Sequence, residues 1–136
     1  MRGLYLITND DPTEVLLAKL EGAMANGGIA VLQYRRKKVA KADQPYEIEY
    51  MKAMCAEYGV PFVINDDLEM AVKYGVGVHL GQDDGSIVEA VARLPQGVLI
   101  GRSCNNSLEL AAQAVRDGAN YVAFGAIYAT DSKPEA

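Results

Sequence analysis

The chain has 136 residues, of which 50% are hydrophobic and 23% are charged, which predicts one compact domain over residues 1–136 and excludes a disordered chain. A net charge of −5 with no long basic stripe excludes the usual surfaces that bind nucleic acids or acidic membranes. No signal peptide and no apolar run of membrane-spanning length is apparent, so we expect a cytoplasmic protein with no membrane partner.

Short runs of β-branched and aromatic residues alternate with amphipathic stretches along the chain, which predicts an α/β fold. Six runs have the composition of strands, and most are apolar throughout, as expected of parallel strands buried on both faces. The predicted strands are Leu4–Thr8, Ile29–Tyr34, Pro61–Asn65, Val76–Leu80, Val98–Ser103 and Tyr121–Gly125.

The amphipathic stretches between these runs have the spacing and the boundary residues of helices. Pro12 suits the first turn of the first helix, and Gly27 suits its end. Ser86 followed by Glu89 is typical of a capping box at the start of a later helix. The inner stripe of the last predicted helix is expected to contain Leu108, Ala111, Ala112 and Val115.

Each of the six predicted strands ends in polar residues, which lie in its last positions or directly after it. In an open doubly wound sheet the ligand groups converge mainly at one switch point, whereas in a barrel every strand end faces one shared mouth. The pattern therefore favours a TIM (β/α)₈ barrel. Such barrels need roughly 200–250 residues, so we expect about six of the eight units here and an incomplete C-terminal end. The polar residues are Asn9, Asp10, Gln33, Arg35, Lys37, Asn65, Asp66, His79, Gln82, Asp84, Ser103, Thr130 and Lys133.

The segment Gln33-Tyr34-Arg35-Arg36-Lys37 carries cations at the end of the second predicted strand. Because side chains alternate along a strand, Gln33, Arg35 and Lys37 can point the same way and together hold an anion. A solvated basic loop has the same pattern, so this alternative stays open.

Acidic residues follow the third and fourth predicted strands. A carboxylate from Asp66, together with Asp83 or Asp84, is suited to a Mg²⁺ ion that also binds phosphate oxygens. Helix capping by Asp66 or Asp67 is the alternative, and the local sequence alone favours it.

Six segments taken together resemble the thiamine phosphate synthase family, in the order of the family along nearly the whole chain. Residues 77–84 are close to its most distinctive string, G-V-H-L-G-Q-x-D, and residues 33–37 resemble its Q-x-R-x-K pattern. Each match is weak alone, but six matches in order and in register are specific. The other matching segments are 5–8, 63–67, 100–103 and 125–133.

The resemblance implies a transferase of thiamine biosynthesis that acts on two small molecules, with Mg²⁺ as cofactor and no nucleic acid as partner. The family joins hydroxymethylpyrimidine diphosphate to thiazole phosphate and releases diphosphate. The C–O bond to diphosphate breaks, and the thiazole nitrogen captures the resulting pyrimidine cation. Such chemistry depends on neutralising the leaving group more than on a strong base.

The resemblance also implies roles for the matching residues. Asp66 and Asp84 would bind Mg²⁺. The residues implied to hold the diphosphate are Arg35, Lys37, Asn65 and Lys133. Gln33 and Ser103 would orient the pyrimidine, and Thr130 and Ser132 would face the thiazole phosphate. The residues implied to be catalytic are Arg35, Lys37, Ser103 and Lys133.

Several positions depart from the family pattern. Val76 stands where the family usually has an aspartate, and Ser132 replaces a commoner threonine. Cys104 and Asn105 follow Ser103 where many relatives have a histidine. The glycine-rich turns that grip a phosphate after the seventh and eighth strands are absent from this sequence.

His79 and the cysteines invite catalytic interpretations that their context does not favour. An imidazole within a strand is more often a hydrogen-bonded interior residue. Nothing next to Cys104 in the sequence lowers the pKa of its thiol, so we expect a bystander. Cys55 and Cys104 lie far apart with no metal-ligand spacing, which predicts two free thiols in a reducing compartment.

Two alternative functions stay open. The related thiazole tautomerase branch shares the barrel but transfers a proton, for which it needs a group such as a histidine at the fifth-strand turn. Asn105 and Asn106 stand there, which favours the synthase. The other alternative is a non-catalytic, truncated barrel that self-associates through the unpaired edges of its first and sixth strands.

Overall fold

The computed structural model describes residues 3–124. Strands and helices alternate along it, which confirms the α/β prediction. The strands are β1 (Leu4–Ile7), β2 (Ile29–Tyr34), β3 (Phe62–Asn65), β4 (Gly77–Leu80), β5 (Ile100–Ser103) and β6 (Tyr121–Ala123). The helices are α1 (Thr13–Asn26), α2 (Gln44–Tyr58), α3 (Leu68–Tyr74), α4 (Ile87–Arg93) and α5 (Leu108–Asp117), with a 3₁₀ turn at Lys41–Asp43. None of the helices in the described range is long and apolar enough to cross a membrane.

The sheet has the strand order β1-β2-β3-β4-β5-β6. The β1/β2, β4/β5 and β5/β6 pairs are parallel. The bounds of β2 match the prediction, and the described ends of the other strands fall within two residues of it. Gly125, the predicted end of the last strand, lies outside the described residues. The hydrophobic pattern therefore located all six strands.

The chain divides into two compact units, Met1–Val63 and Ile64–Ala136. The prediction of a single domain stays a prediction. In the first unit, α1 and α2 contact each other, and each buries one apolar face. Pro12 and Gly27 flank α1, as predicted. The buried residues of these helices include Leu16, Leu20, Met24, Ile48, Met51 and Cys55.

A buried ion pair joins the residues after β2 to α2. Nη2 of Arg36 lies 2.8 Å from Oε2 of Glu47, and each side chain is only 1% exposed. The Tyr34 hydroxyl donates to Oε1 of Glu47 over 2.8 Å, and the Thr13 hydroxyl donates to Oε2 over 2.6 Å. Burial alone would raise the pKa of Glu47, but the hydrogen bonds from Arg36, Thr13 and Tyr34 outweigh it and hold the pKa below its ordinary value.

The guanidinium of Arg36 also fixes the loop between β1 and α1. Its Nη1 donates to the carbonyl oxygens of Asn9 and Asp11, over 2.7 Å and 2.6 Å. The charge of Arg36 is therefore surrounded by a carboxylate and two carbonyl oxygens, which is the environment a buried cation requires. One buried side chain thus connects β2, α2 and this loop.

In the second unit, the stripe predicted for α5 is confirmed at Ala111 and wrong at its other three positions. Ala111 and Ala114 are buried, whereas Leu108, Ala112 and Val115 are exposed, Leu108 to 77%. The two alanines pack against the buried residue that follows β5. Small side chains allow the helix backbone to come close at this contact, so the helix turns its alanines inward and its longer side chains outward.

The end of α5 gives a test of the backbone geometry. Gly118 has φ 114°, and a Cβ added there would lie 2.8 Å from Cγ2 of Val91. We expect Gly118→Ala to lower the free energy of unfolding by about 1–2 kcal/mol from the left-handed backbone alone, as measured by chemical denaturation. Gly22→Ala is the matched control, because Gly22 lies inside α1 and an added Cβ would meet nothing within 4 Å. That variant should gain roughly 0.5–1 kcal/mol, and a similar gain at Gly118 would contradict the assigned geometry.

Candidate functional site

In the first unit, exposure changes at the end of β2, and Gln33 does not share the exposure of Arg35 and Lys37, with which it was predicted to point the same way. Gln33 and Arg36 are buried, whereas Arg35 and Lys37 are exposed to solvent. Arg36, which lies between these two exposed cations in the sequence, is held in the ion pair with Glu47. The structure therefore presents two exposed cations on a segment that is anchored between them.

Two side chains from the first strand region fix residues 33–37: Tyr5 lies in β1, and Thr8 directly follows it. The Thr8 hydroxyl accepts the N–H of Arg35 over 2.7 Å and donates to the carbonyl oxygen of Arg35 over 3.0 Å. Nε2 of Gln33 donates to the hydroxyl of Tyr5 over 2.8 Å. In the sequence, Tyr5 and Thr8 belong to a segment that matches the family, but the resemblance implies no site role for them.

In the second unit, two consecutive aspartates after β3 have different positions. Asp67 is the N-cap of α3 and accepts the N–H of Met70 over 3.0 Å, so the capping interpretation holds for Asp67. Asp66 is exposed and has φ 68°, and its N–H donates to the carbonyl oxygen of His79 over 2.8 Å. Asn65, the last residue of β3, is half-buried.

The carboxylates of Asp66 and Asp84 approach the same glycine. The N–H of Gly81 donates to Oδ2 of Asp84 over 2.8 Å. A Cβ added at Gly81 would lie 2.5 Å from Oδ2 of Asp84 and 4.0 Å from Oδ1 of Asp66. These two oxygens are therefore no farther apart than the sum of those two distances. The missing side chain of Gly81 leaves room for the carboxylate of Asp84, whereas Oδ1 of Asp66 would be at an ordinary contact distance from an added Cβ.

The carboxylates of Asp66 and Asp84 can be compared with what a metal ion requires of its ligands. Within residues 3–124 no group of three or more His, Cys, Asp or Glu residues is arranged to hold a metal ion. Mg²⁺, however, keeps several waters and is commonly bound by one or two carboxylates together with phosphate oxygens of a substrate. Asp66 and Asp84 supply two carboxylates near one glycine, which is the donor type that such a Mg²⁺ site uses and too few donors for an all-protein metal cage.

His79 is a hydrogen-bonded interior residue, as predicted. It is 7% exposed, and its Nε2 lies 2.8 Å from Oγ of Ser103. Its Nδ1 lies 2.9 Å from the hydroxyl of Tyr121, whose ring stacks on the imidazole. Nε2 of Gln82 donates to the carbonyl oxygen of Ser103. His79 in β4 thus holds the side chain of Ser103, and Gln82, two residues after β4, holds its backbone carbonyl.

Both cysteines are free and buried, which confirms the prediction of two unpaired thiols. Burial raises the pKa of the Cys55 thiol to about 12. Burial also raises the pKa of the Cys104 thiol, although Arg102 opposes it. A thiol with a raised pKa is a poor nucleophile at neutral pH, so the structure supports the interpretation of Cys104 as a bystander.

The last group of predicted site residues lies outside the described part of the chain. Their roles stay predictions from the resemblance of residues 125–133. These residues are Thr130, Ser132 and Lys133.

Comparison with known proteins gives the same family by three routes. A family model described as thiamine monophosphate synthase matches residues 4–136. A thiamine-phosphate synthase of Thiobacillus denitrificans is 46% identical over 98% of this chain. A solved structure of a thiamine phosphate pyrophosphorylase from Pyrococcus furiosus superposes with a TM-score of 0.77, at 30% identity over 96% of this chain.

The chain spans 64% of the length of the Thiobacillus protein and 63% of the Pyrococcus chain. Within residues 3–124, the matching segments lie on or directly after strands at the predicted positions, and segment 125–133 lies outside the described residues. The family model itself matches all but the first three residues, so the chain belongs to the thiamine monophosphate synthase family.

Proposed function

We propose that the protein is a thiamine phosphate synthase, a transferase that joins hydroxymethylpyrimidine diphosphate to thiazole phosphate and releases diphosphate. The observation that carries this proposal is the approach of Asp66 and Asp84 to Gly81, within segments that match the family. Two neighbouring carboxylates suit a Mg²⁺ ion shared with a diphosphate. The 46% identity to a thiamine-phosphate synthase gives independent support.

The fold that we propose is the (β/α)₈ barrel of the family, to which this chain contributes about six units. The strand order along the sheet supports it, as does the superposition on the Pyrococcus chain. In such barrels the functional side chains follow the C-terminal ends of the strands. Arg35, Asp66 and Ser103 each lie at or directly after such an end.

In this proposal, Asp66 and Asp84 hold Mg²⁺. When bound, the ion neutralises charge on the diphosphate oxygens. The residues that hold the diphosphate itself are Arg35, Lys37, Asn65 and Lys133. The exposure of Arg35 and Lys37 supports their part, because neither cation has an ion pair within residues 3–124 and both can therefore reach an anion.

Gln33 and Ser103 orient the pyrimidine in this proposal, and Thr130 and Ser132 face the thiazole phosphate. Two observations support the first pair. The amide of Gln33 is held by Tyr5, and the hydroxyl of Ser103 is held by His79. Side chains fixed in this way lose little freedom when a substrate binds, which is the advantage of preorganisation.

The experiment is an assay of diphosphate release with both substrates and Mg²⁺. We expect release that requires the thiazole phosphate as well as the pyrimidine diphosphate. A thiazole tautomerase would aromatise its substrate without releasing diphosphate, and it would need an acid–base group where this chain has Asn105 and Asn106. Absence of diphosphate release in the full-length protein would overturn the proposal.

The metal ligands give a prediction of their own. Asp66→Asn and Asp84→Asn should each raise the Mg²⁺ concentration that gives half-maximal turnover, because each removes one anionic ligand. Asp67→Asn is the matched control: it removes a charge from the adjacent residue, and asparagine still caps α3. Its Mg²⁺ dependence should match the wild type. An unchanged Mg²⁺ requirement in both the Asp66 and the Asp84 variants would remove the metal assignment.

A further inference from the structure

We infer that Thr8 is a positioning residue for Arg35, so that its hydroxyl sets the geometry in which the guanidinium meets an anionic substrate group. The inference rests on the proposed function, because it concerns the diphosphate that Arg35 would hold. It adds a residue to which the resemblance gives no role.

The position of Thr8 carries the inference. Thr8 and Arg35 are each the first residue after a strand, since β1 ends at Ile7 and β2 ends at Tyr34. The N–H of Thr8 still donates to the carbonyl oxygen of Gln33 over 3.0 Å, as a parallel ladder requires. Two residues after Gln33, the backbone of Arg35 bonds to the side chain of Thr8 instead.

The Thr8 hydroxyl binds both polar backbone groups of Arg35. It accepts the N–H over 2.7 Å and donates to the carbonyl oxygen over 3.0 Å, which uses the donor and the acceptor capacity of one oxygen. Thr8 is 5% exposed, so water has little access to compete for these bonds. The hydroxyl therefore fixes the backbone of Arg35 on both sides of its Cα, from which the exposed side chain projects.

A second anchor follows immediately in the chain. Arg36 is tied to Glu47 and to the β1–α1 loop, so Arg35 lies between the bond to Thr8 and a buried ion pair. The Arg36 anchor holds the segment to the body of the unit. Among the described residues, the Thr8 hydroxyl is the group that bonds directly to the backbone of Arg35, the residue that would bind the anion.

Two substitutions separate the hydroxyl from the shape of the side chain. Thr8→Val keeps the β-branched shape and removes both hydrogen bonds to Arg35. Thr8→Ser keeps the hydroxyl and removes a methyl group. A positioning role predicts that valine impairs the function of Arg35 and that serine restores most of it, because geometric errors near 1 Å can cost orders of magnitude in function.

The test is a double-mutant cycle on the full-length protein, with inorganic diphosphate and Mg²⁺ as the probe and calorimetric affinity as the readout. We expect Arg35→Ala to weaken binding roughly 10–100-fold, as loss of a charge-assisted contact does. Thr8→Val should weaken it roughly tenfold in the wild type and have little effect in the Arg35→Ala background. Thr8→Ser should bind within about threefold of wild type.

Each outcome decides the inference. Equal effects of Thr8→Val in the two backgrounds would show a general structural role and overturn it, as would a Thr8→Ser protein as weak as Thr8→Val. Failure of the wild type to bind diphosphate would also overturn it. The proposed function fails on a different result, namely no turnover of the two organic substrates by a wild type that does bind diphosphate.

Discussion

Replacement of Glu47 by alanine is expected to lower the free energy of unfolding by about 3–5 kcal/mol. The substitution leaves the guanidinium of Arg36 buried without its carboxylate, and it removes the acceptor of the Thr13 and Tyr34 hydroxyls. An uncompensated charge in a dry interior is among the most destabilising defects a single substitution can produce. Equilibrium denaturation of the purified protein measures the loss.

Glu69→Ala is the matched control for this prediction. Glu69 also pairs with an arginine, Arg93, at 2.6 Å, but its side chain is 76% exposed. Water and salt screen such a pair, so its loss should have a much smaller effect on unfolding. Comparable losses at Glu47 and Glu69 would contradict the importance assigned to burial.

The lowered pKa of Glu47 makes this contribution depend on pH in a defined direction. A carboxyl group whose pKa is lower in the folded state stabilises the fold at pH values above its unfolded pKa, which is ~4.3 for glutamate. That stabilisation is lost as the pH falls through the folded pKa. The difference in unfolding free energy between wild type and Glu47→Gln should therefore be largest near neutral pH and should shrink in acid. A difference that stays constant from pH 7 to pH 3 would show that ionised Glu47 is not its source.

Arg35→Ala and Lys133→Ala are each expected to reduce turnover by ~10²–10³-fold, the usual cost of removing one charge-assisted contact to developing negative charge. The proposed reaction leaves that charge on the departing diphosphate. Arg35 is an exposed cation on an anchored segment, whereas the assignment of Lys133 rests on the resemblance alone. Steady-state assays with both substrates measure the effect.

Lys38→Ala is the control for charge in this prediction. It removes a cation from an exposed neighbour of the segment, and its backbone N–H, which donates to Oδ1 of Asp10, remains. We expect turnover close to wild type. Equally slow turnover in Lys38→Ala and Arg35→Ala would show that the effect reflects the general charge of the loop. Full activity in both variants would show that Arg35 has no part in the reaction.

The sequence predicted those parts of the fold that depend on local physics. The strands were found from short apolar runs, because a strand buried on both faces must be apolar throughout. The pattern of Ser86 followed by Glu89 predicted the start of α4. The structure confirms it, because the Ser86 hydroxyl accepts the N–H of Glu89. Position 67 shows the limit of this approach, because the local pattern could not say which of two aspartates caps α3.

The features that the sequence did not predict depend on distances between elements. On α5, the spacing of apolar residues predicted an inner stripe of Leu108, Ala111, Ala112 and Val115. The face that packs against the residue after β5 is instead formed by Ala111 and Ala114. The hydrogen bonds between Thr8 and Arg35 join residues that are 27 positions apart, and the hydrophobic pattern of the sequence does not predict contacts of that kind. Likewise, the hydrogen bond from Gly81 to Asp84 and the position of Asp66 near the same glycine become visible only in the folded chain.

The backbone at Asp66 decides which amino acid can serve there. With φ at 68°, this position lies in the left-handed region, which aspartate and asparagine tolerate better than most other residues with a side chain. Glutamate offers the same charge, but its longer side chain lacks the local hydrogen bonding that makes this turn accessible to aspartate. A substitution table would score Asp66→Glu as conservative. In this turn, Asp66→Glu combines backbone strain with a displaced carboxylate. The backbone conformation therefore favours aspartate over glutamate, independently of any ligand.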